Sequence, residues 1–141
     1  MANVPIKNPS FDDAAKTKFA DAVAIMLKVQ IAASGCESVD NADGAINSRA
    51  LGYMYGFIDA ALRTIGQDMA DLSVGVPMTF QIFRRLFPGS EERYVQFLRA
   101  GLQKDVGMTT AMMVGGQQYI DFNNGKVVAP MGLSRILIGA A

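Results

Sequence analysis

Asp59, Glu91, Glu92 and the four tyrosines are the side chains of this chain that could move a proton. No two carboxylates stand at a spacing that by itself defines an acid–base pair. Glu91 and Glu92 already fit the positive first turn of a helix. Histidine, which titrates near neutrality and is the commonest metal ligand, is absent from all 141 residues. Its absence removes Ser–His and Cys–His nucleophile pairs and most zinc sites. Cys36 is the single cysteine. It sits beside Glu37 and near Asp40, acidic neighbours that disfavour a reactive thiolate. No residue is assigned a catalytic role, and an enzyme is the less expected reading.

Metal and cofactor motifs fail on inspection. In Asp40-Asn41-Ala42-Asp43-Gly44, a calcium loop would place Gly44 at the turn and Asn41 and Asp43 at ligand positions. Val39 would then be the first ligand and Ala50 the final bidentate one, and neither can serve. Asn124-Gly125-Lys126 has Ile120 where a phosphate loop needs its first glycine. Gly115-Gly116 alone defines no dinucleotide site. No metal and no cofactor are expected. Met78, Met108, Met112, Met113 and Met131 are soft side chains that fill cores first, adapt to partners second, and bind Cu(I) only as a distant third.

Two groups of residues point to binding. Gly52, Gly56 and Ala60 lie four apart in LGYMYGFIDAAL, so one helix face would be small enough for another helix to approach closely. Each glycine costs about 0.8–1.0 kcal/mol relative to alanine in a helix interior, so a packing reason is expected. Tyr53 and Tyr55 flank that row and could hydrogen-bond at a pocket or interface. Asp59 and Arg63 are spaced to pair on the same helix. With Met108 and Met112 these are the ligand or interface candidates. The second group is Arg84, Arg85, Arg93 and Arg99, followed by Lys104 and interleaved with Phe80, Phe83, Phe87 and Tyr94. Such a cluster could meet nucleic acid. The aromatics, however, repeat at core spacing, and Glu91, Glu92 and Asp105 dilute the charge.

Composition sets the frame that must hold these residues. Half the residues are apolar and 18% are charged, which gives a globular chain large enough for a core without staples. Lysine plus arginine equals aspartate plus glutamate, arguing against non-specific nucleic-acid binding. Residues 35–75 are acidic on balance and residues 76–141 basic, so the two could meet within one fold or across a dimer. The N-terminus has no apolar signal core. Val106 to Ile120, the longest uncharged stretch, is too short and too rich in Gly, Thr and Gln to span a bilayer. A cytoplasmic location is expected.

Periodicity predicts a mostly α fold, a bundle of about five helices. Residues 1–9 read as an extended arm and 10–141 as one helical domain. Ser10 is a candidate N-cap for a helix whose apolar positions are Ala15, Phe19, Ala22, Val23, Met26 and Ala33, ending near Gly35. A second helix begins between Asp43 and Ser48 and runs to about Gly66. Its apolar face comprises Ala50, Leu51, Met54, Ile58, Ala61, Leu62 and Ile65. Residues 67–78 read as a connector with Gly75 and Pro77 as breakers. A short helix carries Phe80, Phe83, Leu86 and Phe87. After Pro88-Gly89, Ser90 caps a helix with the stripe Tyr94, Val95, Leu98 and Leu102. Met108, Ala111, Met112, Gly115 and Tyr119 fit a helix ending at Asn124-Gly125, with a β-hairpin over 119–129 as the rival. Pro130 opens an apolar tail that could form a last short helix.

GYMYGFIDAAL and VPMTFQIFRRLFPGSEERYVQFLRAGL, within Leu51 to Leu102, resemble small helical immunity proteins of bacterial type VI secretion. Those proteins are exported and use paired cysteines, whereas this chain has one cysteine and no signal core. The resemblance implies a protein inhibitor. The expected function is a non-enzymatic helical protein–protein interaction module: an adaptor, inhibitor or accessory subunit. It is expected to form a homodimer or other homo-oligomer through helix two or the run Ile136-Leu137-Ile138. The alternatives are a small-molecule-binding protein or enzyme, with Tyr53, Tyr55, Asp59, Arg63 and the Met108–Met113 face lining an interhelical pocket, and a nucleic-acid accessory protein using the 84–104 cluster.

Overall fold

The computed structural model describes residues 11–71 and 73–139. The expected N-terminal arm and the Ser10 cap lie outside them. Among the described residues six helices follow one another: α1 (Asp13–Ala33), α2 (Ser48–Thr64), α3 (Gly75–Leu86), α4 (Glu91–Gly101), α5 (Val106–Asn123) and α6 (Gly132–Leu137). The expected mostly α bundle is the fold.

Helix starts follow local side-chain chemistry. Asp12, Asn47 and Asp105 cap α1, α2 and α5, each accepting from the backbone N–H three residues on. Ser90 stands at the α4 cap position, but its side chain makes no cap hydrogen bond. The Glu91 carboxyl in that first turn is held below the ordinary value by its own backbone N–H, slight desolvation opposes this, and Arg84 adds to the lowering. The connector after α2 is shorter than expected, because Gly75 and Pro77 form the first turn of α3. Proline is tolerated there, since its missing N–H would have no partner inside the helix.

The hairpin alternative over 119–129 is not what forms. The helix runs to Asn123, and Gly125 takes φ +75°. Gly125 N–H then donates to the Phe122 carbonyl and Lys126 N–H to the Asp121 carbonyl. These are the two bonds of a Schellman cap, which satisfy the last orphan carbonyls and need glycine for the left-handed turn. No strand occurs among the described residues, only an isolated bridge between Asp40 and Ile46.

Helix α2 is the centre of the bundle and touches the other five. Leu51, Met54, Phe57, Ile58, Ala61 and Leu62 are fully buried on it, so it is covered round most of its circumference. Ile65 is instead exposed, because the helix ends at Thr64. Helix α1 turns inward a face shifted from the one expected, with Val23 buried and Phe19 and Met26 packed against the core as expected. Ala20, Val23, Ala24, Leu27 and Ile31 are buried, whereas Ala22 and Ala33 are exposed. Helices α3 and α4 pair through the ring cluster of Phe83, Phe87 and Tyr94, with centroids 4.7–6.5 Å apart. Helix α6 packs across α1, α2 and α5.

Candidate interaction surface and cavity

The small-residue row of α2 faces α5. A Cβ at Gly52 would overlap the Met108 carbonyl, and a Cβ at Gly56 the Met112 carbonyl. The contact is reciprocal, since a Cβ at Gly115 would overlap the Tyr53 carbonyl. Backbone therefore lies on backbone along the whole crossing, and the glycines are what permit it. Gly52, Gly56, Met108 and Met112 are brought together, but as a contact inside the chain. The row is not open to a second molecule.

The other side of α5 has no such cover. From Val106 to Ile120 the helix carries no charge. Met108, Ala111 and Gly115 are buried against α2, while Val106 is 77% and Met113 73% exposed, with Val114 and Ile120 also open. The outer face of a surface helix ordinarily carries charge, and this one carries only the uncharged polar side chains of Thr110 and Gln117 among its apolar ones. Beside it runs a groove of about 450 Å³, lined by Gly56, Ala60, Met112, Met113, Gly116 and Ile120 among others. Asp59 and Arg63 stand on its rim as an ion pair, with contacts of 3.1 and 3.2 Å. Of the expected pocket residues, Asp59, Arg63, Met112 and Met113 thus share this open groove. Tyr53 and Tyr55 are elsewhere.

Tyr53 is fully buried where α1, α2, α5 and α6 meet. Its hydroxyl donates to Gln118 Oε1 at 2.6 Å and lies 3.2 Å from Gln30 Oε1. Leu133 N–H donates to Gln30 Oε1 and Gly132 N–H to Gln118 Oε1, both at 2.9 Å. These two backbone donors fix which end of each amide is oxygen. Gln30 Nε2 is left buried without a partner among the described residues. Burial pushes the Tyr53 phenol up to about 12, although the nearby Gln30 side chain and the Leu133 and Gly132 backbone lower it in part. It stays neutral near pH 7 and serves as a clasp for α6 rather than a proton donor. Gln30 and Gln118 were missed as functional positions. The one available signal was an amide at position 30, within the apolar stripe of α1.

The tail is covered as well. Leu133 is fully buried and Ile136 is 7% exposed, whereas Ile138 is 59% exposed. A side chain at Gly132 would overlap the Tyr53 ring and the Gln118 amide, so glycine lets α6 sit on the clasp.

Tyr55 is half-buried on α2 and lines a separate cavity of about 240 Å³ between α3 and α4. Burial raises its phenol above the ordinary value, and the Asp59 charge adds to this.

The basic cluster divides. Arg84 pairs with Glu91, Arg85 with Asp21 of α1 at 2.6 Å, and Arg93 with Asp40 at 3.2 Å. The acidic middle and basic end thus meet within one fold at Arg93–Asp40. Arg93 and Arg99 are six residues apart on α4, roughly 120° round the helix at 3.6 residues per turn. Arg99 has no acidic partner among the described residues and lies on the rim of the Tyr55 cavity. No group of three or more Cys, Asp or Glu side chains able to hold a metal occurs among the described residues. No helix among them is long and apolar enough to cross a membrane.

The fold and these surfaces define an all-α bundle with an uncharged outer face on α5 and a small, partly open cavity beside Tyr55. No protein family, curated protein or solved structure matches this chain.

Proposed function

We propose that this protein is a non-enzymatic helical interaction module that associates through the outer face of α5, first of all with a second copy of itself. The carrying observation is the uncharged face of Val106, Met113, Val114 and Ile120, left open beside the α2–α5 groove. An interface core is depleted in charge and takes methionine readily, which fits this face. Its border carries one acid and one base, Asp59 and Arg63. A two-fold axis perpendicular to α5 at the level of this pair would set each against its opposite in the second copy, an isologous contact. Zero formal net charge leaves no overall repulsion to oppose pairing. The α2 row and the run 136–138 contribute less to this reading than the sequence suggested, because the chain itself covers Gly52, Gly56 and Ile136.

Light scattering on the full chain tests it. The wild type should run as a dimer, and Met113→Glu should run as a monomer with unchanged helical circular dichroism, since Met113 is 73% exposed and supports no core; its melting temperature should lose only the concentration dependence that dimerisation gives. A wild type that stays monomeric at its highest soluble concentration sinks the self-association. A Met113→Glu variant that remains dimeric moves the interface away from α5.

A further inference from the structure

The cavity between α3 and α4 lies apart from the α5 face, and no residue of α5 lines it. Its walls come from the 67–71 connector and helices α2, α3 and α4. Met69, Val76, Val95, Leu98 and Leu102 make the surface mainly hydrocarbon. Gly75 lets the connector fold back tightly onto α3, since a Cβ there would overlap the Met69 carbonyl.

Three side chains supply the polar atoms. Thr79 donates its hydroxyl hydrogen to the Gly75 carbonyl at 2.8 Å, so that donor is already used. Tyr55 makes no hydrogen bond among the described residues, and its hydroxyl remains free to donate. Arg99 brings a guanidinium with no acidic partner among the described residues. No acidic side chain lines the cavity. The nearest influence of that sign on Tyr55 is Asp59, which Arg63 engages through both carboxylate oxygens. The unused donors are therefore the Tyr55 hydroxyl and the positively charged guanidinium, beside hydroxyl oxygens that can still accept. Arginine matches the planar, two-oxygen geometry of a carboxylate better than any other cation in proteins.

We propose that this cavity binds a small apolar carboxylic acid as its anion, with the hydrocarbon part against Met69, Val95 and Leu98 and the carboxylate between the Tyr55 hydroxyl and the Arg99 guanidinium. A cavity of about 240 Å³ falls just under the roughly 300–1,000 Å³ that holds drug-sized ligands. A medium-chain or single-ring acid is the size that fits. An amine would meet the Arg99 charge, and a neutral alcohol would leave most of the guanidinium donors unmatched. Burial keeps Tyr55 protonated well into the alkaline range, so it can donate to such an anion at neutral pH.

Calorimetric titration of the full chain with octanoate, octanol and octylamine tests this. Octanoate should bind one saturable site about tenfold more tightly than octanol, and octylamine should not bind. Arg99→Gln, at an exposed position that leaves the core intact, should weaken octanoate by about tenfold, and Tyr55→Phe by a smaller factor. Met113→Glu should leave octanoate binding unchanged, which separates this site from the α5 face. Absence of saturable octanoate binding, equal binding of octanol, an Arg99→Gln variant that binds like wild type, or loss of binding in Met113→Glu would each overturn the proposal. None of these outcomes bears on the self-association of α5.

Discussion

Gly56 of α2 meets the backbone carbonyl of Met112 in α5 with no room for a methyl group between them. Gly52 stands in the same relation to Met108, and Gly115 to the Tyr53 carbonyl. The two helices that carry both candidate surfaces are thus registered to each other by glycine at three points. The groove beside Asp59 and Arg63 exists because the backbones come so close.

Gly56→Ala tests that registration against intrinsic propensity. Alanine should favour the helix by about 0.8–1.0 kcal/mol. Overpacking costs about 1–3 kcal/mol or more, and a carbonyl in a second helix cannot swing aside as a side chain can. Urea denaturation should therefore show a net loss, with Gly115→Ala behaving alike. Gly101→Ala should be milder, because its Cβ would meet only the flexible end of the Met108 side chain. A stabilised Gly56→Ala protein would mean that the helices do not cross here.

Tyr53 makes stability fall at alkaline pH. Its phenol is held up to about 12 in the folded chain and titrates at about 10 when unfolded. Above pH 10 the unfolded state loses the proton first and the native state binds more protons, so unfolding becomes easier as pH rises. The contribution is complete below pH 10 and is lost progressively between about 10 and 12. Burial raises Tyr55 and Tyr94 as well, with the Asp40 carboxylate adding to the effect at Tyr94, so they act in the same direction. Tyr53→Phe should cost about 0.5–1.5 kcal/mol at pH 7 through the lost hydrogen bond. It should also flatten the decline between pH 10 and 12, as read by denaturation at a series of pH values.

Leu133→Ala should cost about 2–5 kcal/mol, the usual range for a buried leucine. Ile138→Ala should stay within about 0.5 kcal/mol. This contrast, measured by thermal or urea unfolding, checks that the C-terminal helix completes its own domain. Equal and small effects would return the tail to the role of a free surface.

Arg84, Arg85 and Arg93 should each contribute less than about 1 kcal/mol when replaced by alanine, because their ion pairs are largely open to water. Their acidic partners also reduce the field available to a polyanion. Retention on DNA or RNA at low salt should be absent. Strong retention with a steep salt dependence would favour a nucleic-acid role instead.

Much of the helical layout was legible because it rests on local chemistry. Asn124-Gly125 predicted a left-handed cap, and the Schellman bonds at Phe122 and Asp121 form there. Tyr94, Val95 and Leu98 repeat at helical spacing and are buried. The row Gly52, Gly56 and Ala60 announced a close helix contact for a similar reason, since glycine in a helix interior needs a compensating gain. Ser90 and Pro77 were harder to read. Ser90 holds the cap position without making the cap bond, and proline's place in a helix depends on its distance from the start.

What the sequence determined by itself was helix content and the residue types on each face, because periodicity and capping act over four or five residues. Only the tertiary structure decided which surface each face meets. It placed α5 against the glycine row that otherwise suggested a second molecule. It also drew Gln30, Tyr53, Gln118 and the start of α6 into one clasp across 103 positions of chain from Gln30 to Leu133. It parted Tyr55 from Asp59's groove and set it beside Arg99. The physical reason is that burial and hydrogen-bond partners depend on the way helices cross, and a crossing is fixed by the packing of the whole chain.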